Sequence, residues 1–400
     1  MITSSTLKAL AQSEIARHRQ TLLELSRKLH DNPEIAMQEH KAAAWLTDEL
    51  KSAGFVVTSG IAGMATAFRA SYGNGSPVVA FIAEYDALPG LGHACGHNLI
   101  ATAAVAAALG AKSPSESLGG TILVIGTPAE ELEGGKIAML ARGAFNGIDA
   151  ALMLHPSAHD SATIQALACM ALDVDFFGKE AHAAAHPELG INALAAMILS
   201  FNAIDSLRQH IRGDARIHGI ITDGGKAANI VPAHTSGRFL VRTADAGYMP
   251  ELREKVLSCF KGAALSTGAR LKYRWNESEY YAPMRNNETL ARLYMANMSS
   301  FGHQVAFYDS RQSFGSTDMG NVSQAVPAIH ASVAIAEPGV SEHSVEFARL
   351  AREEKSFNAI LEAATSLCFT AIDLLSDPEK RNQVACEFEG GKNRASHPSS

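Results

Sequence analysis

Two kinds of hydrophobic periodicity alternate along the first part of the chain. Apolar residues recur at helical spacing over residues 7–29 and again over 36–53, which predicts two helices joined by a turn. Three continuous apolar runs are instead typical of strands buried on both faces: residues 78–83, 121–126 and 150–154. An alanine-rich helix is predicted at residues 100–109. Strands that alternate with helices predict an α/β domain with a mostly parallel sheet.

The hydrophobic pattern changes after about residue 168. Residues 170–177 alternate like a half-buried strand, and the periodicity then predicts, in order, a helix, two strands, a helix and a strand. These later elements are expected at residues 192–209, 217–222, 236–243, 250–267 and 270–275. Strand–helix–strand–strand–helix–strand is the split ferredoxin-like unit. The pattern therefore predicts a second, α+β domain inserted into the first.

The length of the chain agrees with two domains. A chain of 400 residues exceeds what one hydrophobic core usually organises, and 47% apolar with 19% charged residues excludes a disordered chain. We expect residues 1–167 and 283–385 to form the first domain and 168–282 the inserted domain. Residues 386–400 are rich in Gly, Lys, Asn, Ser and Pro, so we expect a disordered tail there.

Charge and cysteine content narrow the function classes. The chain has 34 basic and 41 acidic residues without a basic stripe, so it lacks the footprint of a nucleic-acid-binding protein. No run of about 18 apolar residues stands out, so we expect no membrane span. The N-terminus does not resemble a secretory signal, and five widely spaced cysteines do not form a disulfide framework. We expect a cytoplasmic protein in a reducing compartment.

Polar residues cluster after the apolar strands, where parallel sheets form their sites. The candidates are Asp86, Cys95 and His97 after the first run, Glu130 and Glu131 after the second, His155 after the third, and His343 near the C-terminus. Each has an ordinary structural explanation, such as a buried cysteine or an acidic helix start. Together, Cys, His and Glu are the residue types that bind zinc-like cations. Of two adjacent glutamates, one can bind metal while the other remains a free base.

Four motifs in matching order resemble a known family. They are His-Ala-Cys-Gly-His-Asn at 93–98, Pro-Ala-Glu-Glu at 128–131, Gly-Lys-Glu-Ala-His-Ala-Ala at 178–184, and Ala-Asn-Ile-Val-Pro at 228–232. Over about residues 15–375 the chain resembles the metallopeptidase family of aminoacylases and carboxypeptidase G, and most of all its amidohydrolase branch. The resemblance implies a zinc-peptidase-like catalytic domain, an inserted lid and dimerisation domain, and a homodimer.

The resemblance also implies a site with two divalent metal ions. Zinc is the default for such ligands, and manganese or cobalt are alternatives. The implied ligands are Cys95, His97, Glu131, His155 and His343. Glu130 would be the general base, and Asp86 would orient a ligand. The implied reaction is amide hydrolysis by a metal-activated water.

In the inserted domain, the resemblance assigns three substrate contacts. His182 would reach the substrate carbonyl, often across a dimer, while Asn229 and Arg242 would hold the amide and the carboxylate. The paired donors of an arginine suit a planar carboxylate. The expected substrate is a small molecule: an N-acyl amino acid or a dipeptide with a free carboxylate.

Three departures from the branch indicate a narrower group. Asn98 stands where the branch has Asp, and Glu84 stands where other branches have a His ligand, so Glu84 could be a spare ligand or a wall residue. A Phe-Gly-Ser-Thr-Asp-Met-Gly run at 314–320 replaces the usual Gly-Glu-Asp-Phe. These features resemble p-aminobenzoyl-glutamate hydrolase and β-alanyl-lysine dipeptidase-like proteins.

Two other functions are compatible with some of these residues. Cys95 could be a nucleophile with His97 as its base. However, residues two apart on a tight glycine turn are poorly placed for such a pair, and three candidate ligands would have no role. An inactive, metal-free binding protein is the other alternative. Loss of Glu130 or of a ligand would indicate it, and all of them are present.

Overall fold

The computed structural model describes residues 3–309 and 315–395. The chain divides into two compact units, one formed by Met1–Gln165 with Met284–Ser400 and the other by Ala166–Pro283. The hydrophobic pattern predicted the inserted domain at residues 168–282.

The helices and strands alternate as follows. The described strands are β1 (Val56–Ser59), β2 (Phe68–Asn74), β3 (Val78–Glu84), β4 (Gly120–Thr127), β5 (Ala150–Ser157), β6 (Ala168–Phe177), β7 (Arg216–Asp223), β8 (His234–Thr243), β9 (Arg270–Trp275) and β10 (Ala328–Ala334). The described α-helices are α1 (Ser4–Arg17), α2 (Arg19–His30), α3 (His40–Ser52), α4 (His97–Leu118), α5 (Gly135–Ala141), α6 (Ala193–Leu207), α7 (Met249–Thr267), α8 (Glu288–Ser299), α9 (Met319–Ala325), α10 (Val345–Leu350), α11 (Glu354–Ser376) and α12 (Pro378–Ala395).

The first unit contains a six-stranded sheet with the strand order β1-β2-β4-β3-β5-β10. The four strands β4, β3, β5 and β10 run parallel, while β1 and β2 are antiparallel to their neighbours. The predicted α/β class with a mostly parallel sheet is thus confirmed. The three apolar runs are β3, β4 and β5, whose residues are nearly all buried because helices cover the sheet.

The helix predicted over residues 7–29 is wrong in one respect. The structure has two helices in this range, α1 and α2. They are separate because the backbone of His18, between them, leaves helical geometry with φ −88° and ψ 0°. α1 and α2 both pack against α4, the alanine-rich helix, which also contacts α11. These helices form the main hydrophobic core together with the sheet.

α11 departs from the expectation that the chain has no stretch of membrane-spanning length. In the described part of the chain it is the one helix long and apolar enough to cross a membrane, by length and composition alone. Its most apolar window is 78% buried inside the protein. Core helices of globular domains meet the same criterion, so the finding is weak evidence for a membrane span.

The last helix corrects the expectation of a disordered tail from residue 386. α12 continues to Ala395, and Val384 and Phe388, one helical turn apart, are 3% and 6% exposed. The Glu387 carboxylate accepts hydrogen bonds from the backbone N–H groups of Glu288 and Thr289 at the start of α8. The buried Val384–Phe388 pair and the Glu387 cap therefore hold α12 against the first unit, although the composition of this segment is mostly polar. Residues 396–400 lie outside the described residues.

The second unit is a four-stranded antiparallel sheet with the order β7-β8-β6-β9. Its two helices, α6 and α7, share a core with the sheet. Along the chain the elements follow as β6, α6, β7, β8, α7 and β9, which is the βαββαβ order expected from the hydrophobic pattern. β7 lies at one edge of this sheet.

Candidate active site

The candidate ligands lie at the carboxyl ends of neighbouring parallel strands. Cys95 lies in the loop between β3 and α4, Glu131 follows β4, His155 lies within the last part of β5, and His343 lies between β10 and α10. Because β4, β3, β5 and β10 are consecutive in the sheet, their carboxyl ends meet at one edge. The topology therefore brings together residues that are far apart in the sequence.

The side chains meet in three overlapping groups whose ligand atoms lie within 4.8 Å of one another. These groups are Cys95–His97–His155, Cys95–Glu131–His343 and His97–Glu130–Glu131. Cys95 Sγ lies 3.4 Å from His155 Nε2, and His343 Nε2 lies 3.3 Å from Glu131 Oε2. All five ligands predicted from the resemblance, and the predicted base, are in these groups.

The donor set fits a metal ion. In the described part of the chain, His97 Nε2 and Glu131 Oε1 are buried without a hydrogen-bond partner, and they lie 3.7 Å apart. Buried polar atoms are almost always paired, so two unpaired atoms facing each other need an explanation. Cysteine sulfur, imidazole nitrogen and carboxylate oxygen are the donors that zinc-like cations accept.

Gly96 makes this arrangement possible. Its φ of +77° lies in the left-handed region, and a Cβ at this position would be 2.8 Å from Pro156 Cγ. Only glycine permits both the backbone conformation and the close approach to β5. The turn therefore presents Cys95 and His97 directly beside His155, although the sequence argument expected Cys95 and His97 to be poorly placed for each other.

Asp86 orients two parts of the site. Its Oδ1 lies 3.0 Å from His97 Nδ1, and its Oδ2 accepts a hydrogen bond from the Glu131 backbone N–H at 3.0 Å. Burial alone would raise the pKa of Asp86, but the charge and hydrogen bond of His97 outweigh burial and lower that pKa. The resulting carboxylate leaves His97 Nε2 directed toward Glu131, as expected for a residue that orients a metal ligand.

Glu130 has the environment of a base. Burial raises its pKa well above the ordinary value, and the neighbouring carboxylates of Glu84 and Asp318 raise it further. A carboxylate with a raised pKa accepts a proton more readily near neutral pH. Its neighbour Glu131 differs: burial raises its pKa, but the His343 hydrogen bond and the His97 charge lower it overall.

His155 and His343 are fixed by backbone contacts. His155 Nδ1 lies 2.7 Å from the Pro156 carbonyl oxygen, so Nδ1–H donates there and Nε2 faces Cys95. The N–H of His343 donates to the Ala94 carbonyl oxygen at 2.9 Å, and its φ of +61° is uncommon for a residue with a side chain. Strained residues of this kind concentrate at functional sites.

Sequence reasoning missed three buried residues beside these ligands. Glu39 accepts from the Ala129 N–H at 2.9 Å and from the Thr66 hydroxyl, so it holds the loop that carries Glu130. His330 stacks on His155 with ring centroids 5.3 Å apart. Lys136 lies between two carboxylates. No local motif marks these residues, because each acts through partners far away in the sequence.

The residues that depart from the pattern of the amidohydrolase branch lie in different parts of the structure. Asn98 is buried, and its amide donates to the Ala351 carbonyl oxygen and the Ser26 hydroxyl, so it ties α4 to neighbouring segments. Asp318 is fully buried against Lys136. Phe314 lies outside the described residues.

The three predicted substrate contacts belong to the second unit. The segments around His182 and Asn229 lie side by side: Ala183 N–H donates to the Asn229 carbonyl oxygen at 3.0 Å, and His182 forms a bridge with Ile230. His182 Nδ1 accepts hydrogen bonds from the backbone N–H groups of Ala184 and Ala185, so its neutral ring carries the proton on Nε2. Arg242 lies on β8, opposite Cys169 of β6 and Arg216 of β7.

Comparisons with known proteins identify the family of this chain. Residues 80–365 match the model of peptidase family M20/M25/M40. The Xaa-Arg dipeptidase of Mus musculus is 36% identical, with 96% of this chain and 92% of that protein aligned. One of the subunits of p-aminobenzoyl-glutamate hydrolase from Escherichia coli is also 36% identical, over 72% of this chain and 64% of that protein.

Solved structures show the same fold at lower identity. The Bacillus subtilis YXEP protein, a dinuclear metal binding peptidase from the M20 family, has a TM-score of 0.72 at 20% identity, covering 90% of this chain and 99% of that one. The aminobenzoyl-glutamate utilization protein from Klebsiella pneumoniae has a TM-score of 0.70 at 18% identity, covering 90% and 97%. This chain belongs to peptidase family M20/M25/M40 and is a hydrolase acting on amide bonds.

Proposed function

We propose that the protein hydrolyses the amide bond of an N-acyl amino acid or a small dipeptide, including aminobenzoyl-glutamate-like substrates, with two divalent metal ions. One observation carries the proposal: five candidate ligands converge, and Glu130 lies beside them. The five are Cys95, His97, Glu131, His155 and His343, and His97 Nε2 and Glu131 Oε1 are buried without a hydrogen-bond partner. Zinc suits the cysteine and histidine donors best, and manganese or cobalt are the alternatives.

Divalent ions in such a site supply an activated water and polarise the substrate carbonyl. Glu130 would take a proton from the attacking water as the water oxygen bonds to the carbonyl carbon, and would pass that proton to the amine as the C–N bond breaks. Asp86 holds the ring of His97 in the orientation that directs Nε2 into the site.

The second unit binds the rest of the substrate in this proposal. His182 donates a hydrogen bond from Nε2–H to the developing oxyanion. Its neutral tautomer favours this donation because Nδ1 accepts backbone hydrogen bonds and the proton is on Nε2. Asn229 holds the amide, and Arg242 holds the free carboxylate through paired donors. The unit acts as a lid whose closure excludes water from the reaction.

A homodimer in the cytoplasm completes the proposal. β7 is an edge strand, and Ile220 on it is 65% exposed, which favours pairing with a second copy. In that dimer, His182 serves the site of the partner subunit. The cytoplasmic location rests on the sequence, whose five widely spaced cysteines do not form the pattern of a disulfide framework.

The substrate class rests on the named relatives, a dipeptidase for Xaa-Arg and a hydrolase for p-aminobenzoyl-glutamate. An Xaa-Arg dipeptide and p-aminobenzoyl-glutamate have the same chemical outline, because each joins an acyl group through an amide bond to an amino acid with a free carboxylate. The proposed base, metal donors and carboxylate-binding arginine suit the chemical groups that the two molecules share.

A thiol hydrolase is the competing function. Cys95 and His97 have their ligand atoms within 4.8 Å of each other, so their spacing does not exclude such a pair. However, burial raises the pKa of the Cys95 thiol well above its ordinary value, which disfavours a free thiolate nucleophile. Glu131, His155 and His343 also converge on the same sulfur and have no role in thiol catalysis.

A substrate panel tests the proposal. The purified protein is stripped with a chelator, reloaded with zinc, manganese or cobalt, and assayed with acyl-amino acids, dipeptides ending in Arg or Lys, and p-aminobenzoyl-glutamate. The proposal is supported if the reloaded protein hydrolyses at least one substrate class and the stripped protein hydrolyses none. Absence of hydrolysis across the panel by protein with verified metal content contradicts it.

A further inference from the structure

A cluster of three carboxylates lies next to the candidate metal ligands. Carboxylate oxygens of Glu84, Glu130 and Asp318 lie within 4.8 Å of one another, and Glu84 and Asp318 are 1% and 0% exposed. Buried carboxylates need a compensating charge, and a group of three is a set of donors that a divalent cation accepts. The question is which cation neutralises them.

Lys136 supplies a cation from the chain itself. Its side chain is 0% exposed, and Nζ donates to Glu84 Oε1 at 2.5 Å and to Asp318 Oδ1 at 2.7 Å. Its backbone N–H also donates to Asp318 Oδ2 at 2.9 Å. Burial alone would lower the pKa of Lys136, but the charges of Asp318 and Glu84 outweigh burial and raise it above its ordinary value.

The backbone places Lys136 in this position. Its neighbour Gly135 begins α5, and a Cβ on Gly135 would lie 1.9 Å from the Pro128 carbonyl oxygen. The Gly135 N–H also donates to the Ala129 carbonyl oxygen at 3.1 Å. The first turn of α5 is therefore packed directly against the loop that carries Glu130, and only glycine allows this approach.

Glu84 connects the two clusters. While Oε1 binds Lys136, Oε2 lies 3.6 Å from His97 Nε2, the nitrogen that also faces Glu131 Oε1 at 3.7 Å. The Glu84 carboxylate thus lies between Lys136 and the candidate metal ligands, with Oε1 toward Lys136 and Oε2 toward His97. The ammonium group of Lys136 holds the carboxylate by Oε1.

We propose that Lys136 is an internal counter-ion that occupies the Glu84–Glu130–Asp318 cluster in place of a divalent cation. Lys136 is then a positioning residue that confines divalent ions to the side of Cys95, His97, Glu131, His155 and His343. This inference rests on the proposed function, because it assumes that those five residues bind metal.

The decisive variant is Lys136→Met, which removes the ammonium group and keeps an unbranched, slightly shorter apolar side chain. Removal of the ammonium group leaves three carboxylates with room for a cation. We expect Lys136→Met to bind one more Mn²⁺ ion per chain than the unsubstituted protein in a titration followed by electron paramagnetic resonance. An unchanged number of ions with unchanged affinities in folded Lys136→Met overturns the inference.

Lys8→Met is the matched control. Lys8 Nζ also forms an ion pair with a buried aspartate, at 2.8 Å from Asp373 Oδ2, but neither residue belongs to a candidate metal group. Loss of this pair should leave the number of Mn²⁺ ions unchanged. An additional ion in Lys8→Met would mean that the effect does not depend on the carboxylate cluster, and it would overturn the inference.

Glu84→Gln tests the inference even if Lys136→Met does not fold. If Lys136 already fills the carboxylate cluster, Glu84→Gln binds the same number of ions as the unsubstituted protein. Loss of an ion in this variant would identify Glu84 as a ligand and overturn the inference. In the double variant Lys136→Met/Glu84→Gln, we expect the additional ion to disappear, since its site has lost a carboxylate.

The unsubstituted protein separates this inference from the proposed function. If it binds no divalent ion, the proposed function fails and this inference fails with it. If it binds ions but Lys136→Met binds no more, only the assignment of Lys136 fails.

Discussion

Asp86 and His97 contact each other through Oδ1 and Nδ1 at 3.0 Å, and both side chains are fully buried. The charge of Asp86 raises the pKa of His97 well above its ordinary value, although burial by itself would lower it. Because Asp86 favours the protonated ring of His97, a metal ion that binds His97 competes with a proton there. The contact fixes the orientation of the ring in both states.

This contact predicts a loss of metal affinity in Asp86→Asn. The amide can hold the ring but cannot supply the negative charge, and removal of such a partner typically weakens metal binding about 10–100-fold. Competition with a zinc chelator measures the affinity. Asp31→Asn is the control, because Asp31 also contacts a histidine, His30, at 3.4 Å but belongs to no candidate metal group. Equal affinities of Asp86→Asn and the unsubstituted protein would contradict an orienting role.

Metal removal should abolish hydrolysis. All the candidate ligands converge at one edge of the sheet, so the reaction depends on the ions that they hold. The measurement is activity before and after dialysis against a chelator, with metal content verified by elemental analysis. Full activity of metal-free protein would rule out the metal-dependent reaction, and recovery with added zinc, manganese or cobalt identifies the ion that suffices.

Glu130→Gln and Glu131→Gln should differ in kind. Glu130→Gln removes the base, so we expect unchanged metal content and a decrease in kcat of at least about 10²-fold. Glu131→Gln removes a ligand in contact with both His97 and His343, so we expect loss of metal. Each variant is the control of the other, since they differ by one position. Equal metal loss in both would show that the two roles are assigned wrongly.

Cys95→Asp separates a ligand from a nucleophile. Aspartate can coordinate a divalent ion in place of the thiolate, so we expect metal binding and measurable hydrolysis to persist in this variant. A nucleophilic cysteine has no such replacement. Cys259→Asp, which changes a cysteine of the second unit outside the candidate groups, is the control. Detection of an acyl group on Cys95 by mass spectrometry would favour the thiol mechanism instead.

His182→Ala should retain its metal and its fold but lose at least about 10²-fold in kcat, the usual effect of removing an oxyanion donor. His186→Ala, an exposed histidine paired with Glu188, should keep its activity and serves as the control. Mixing His182→Ala with Glu130→Gln subunits tests whether His182 acts across a dimer. One intact site per hybrid dimer should restore activity. A mixture that stays inactive after confirmed subunit exchange would place His182 in its own subunit's site or outside catalysis.

The apolar pattern alone predicted the strands that build the site. Residues 78–83, 121–126 and 150–154 are β3, β4 and β5, because a strand buried on both faces must be apolar throughout. The order of elements in the second unit was also readable, since alternation and helical spacing are local properties. The motifs at 93–98 and 128–131 contain the candidate ligands that the fold brings together, because those residue types are needed for the proposed chemistry.

Tertiary contacts explain the two segments whose secondary structure the sequence pattern predicted wrongly. The polar composition after residue 386 favoured disorder, yet Val384 and Phe388 are buried and Glu387 caps α8, which stabilises α12. The helical periodicity of residues 7–29 gave no sign of the break at His18. Periodicity reports which faces are apolar, and it does not report whether a distant segment is available to cover them.

The same limit explains why the sequence predicted the candidate ligands but not the charged residues that surround them. Lys136 binds Glu84 and Asp318, which are 52 and 182 positions away, and Glu39 holds the Ala129 backbone from 90 positions away. A lysine or a glutamate is ordinarily a surface residue, and only the folded chain shows that its charge is buried and paired. The sequence by itself therefore determined the sheet, the motifs and the class of chemistry. The tertiary structure alone decided which charged groups surround the base and the ligands, because that depends on contacts between segments distant in the sequence.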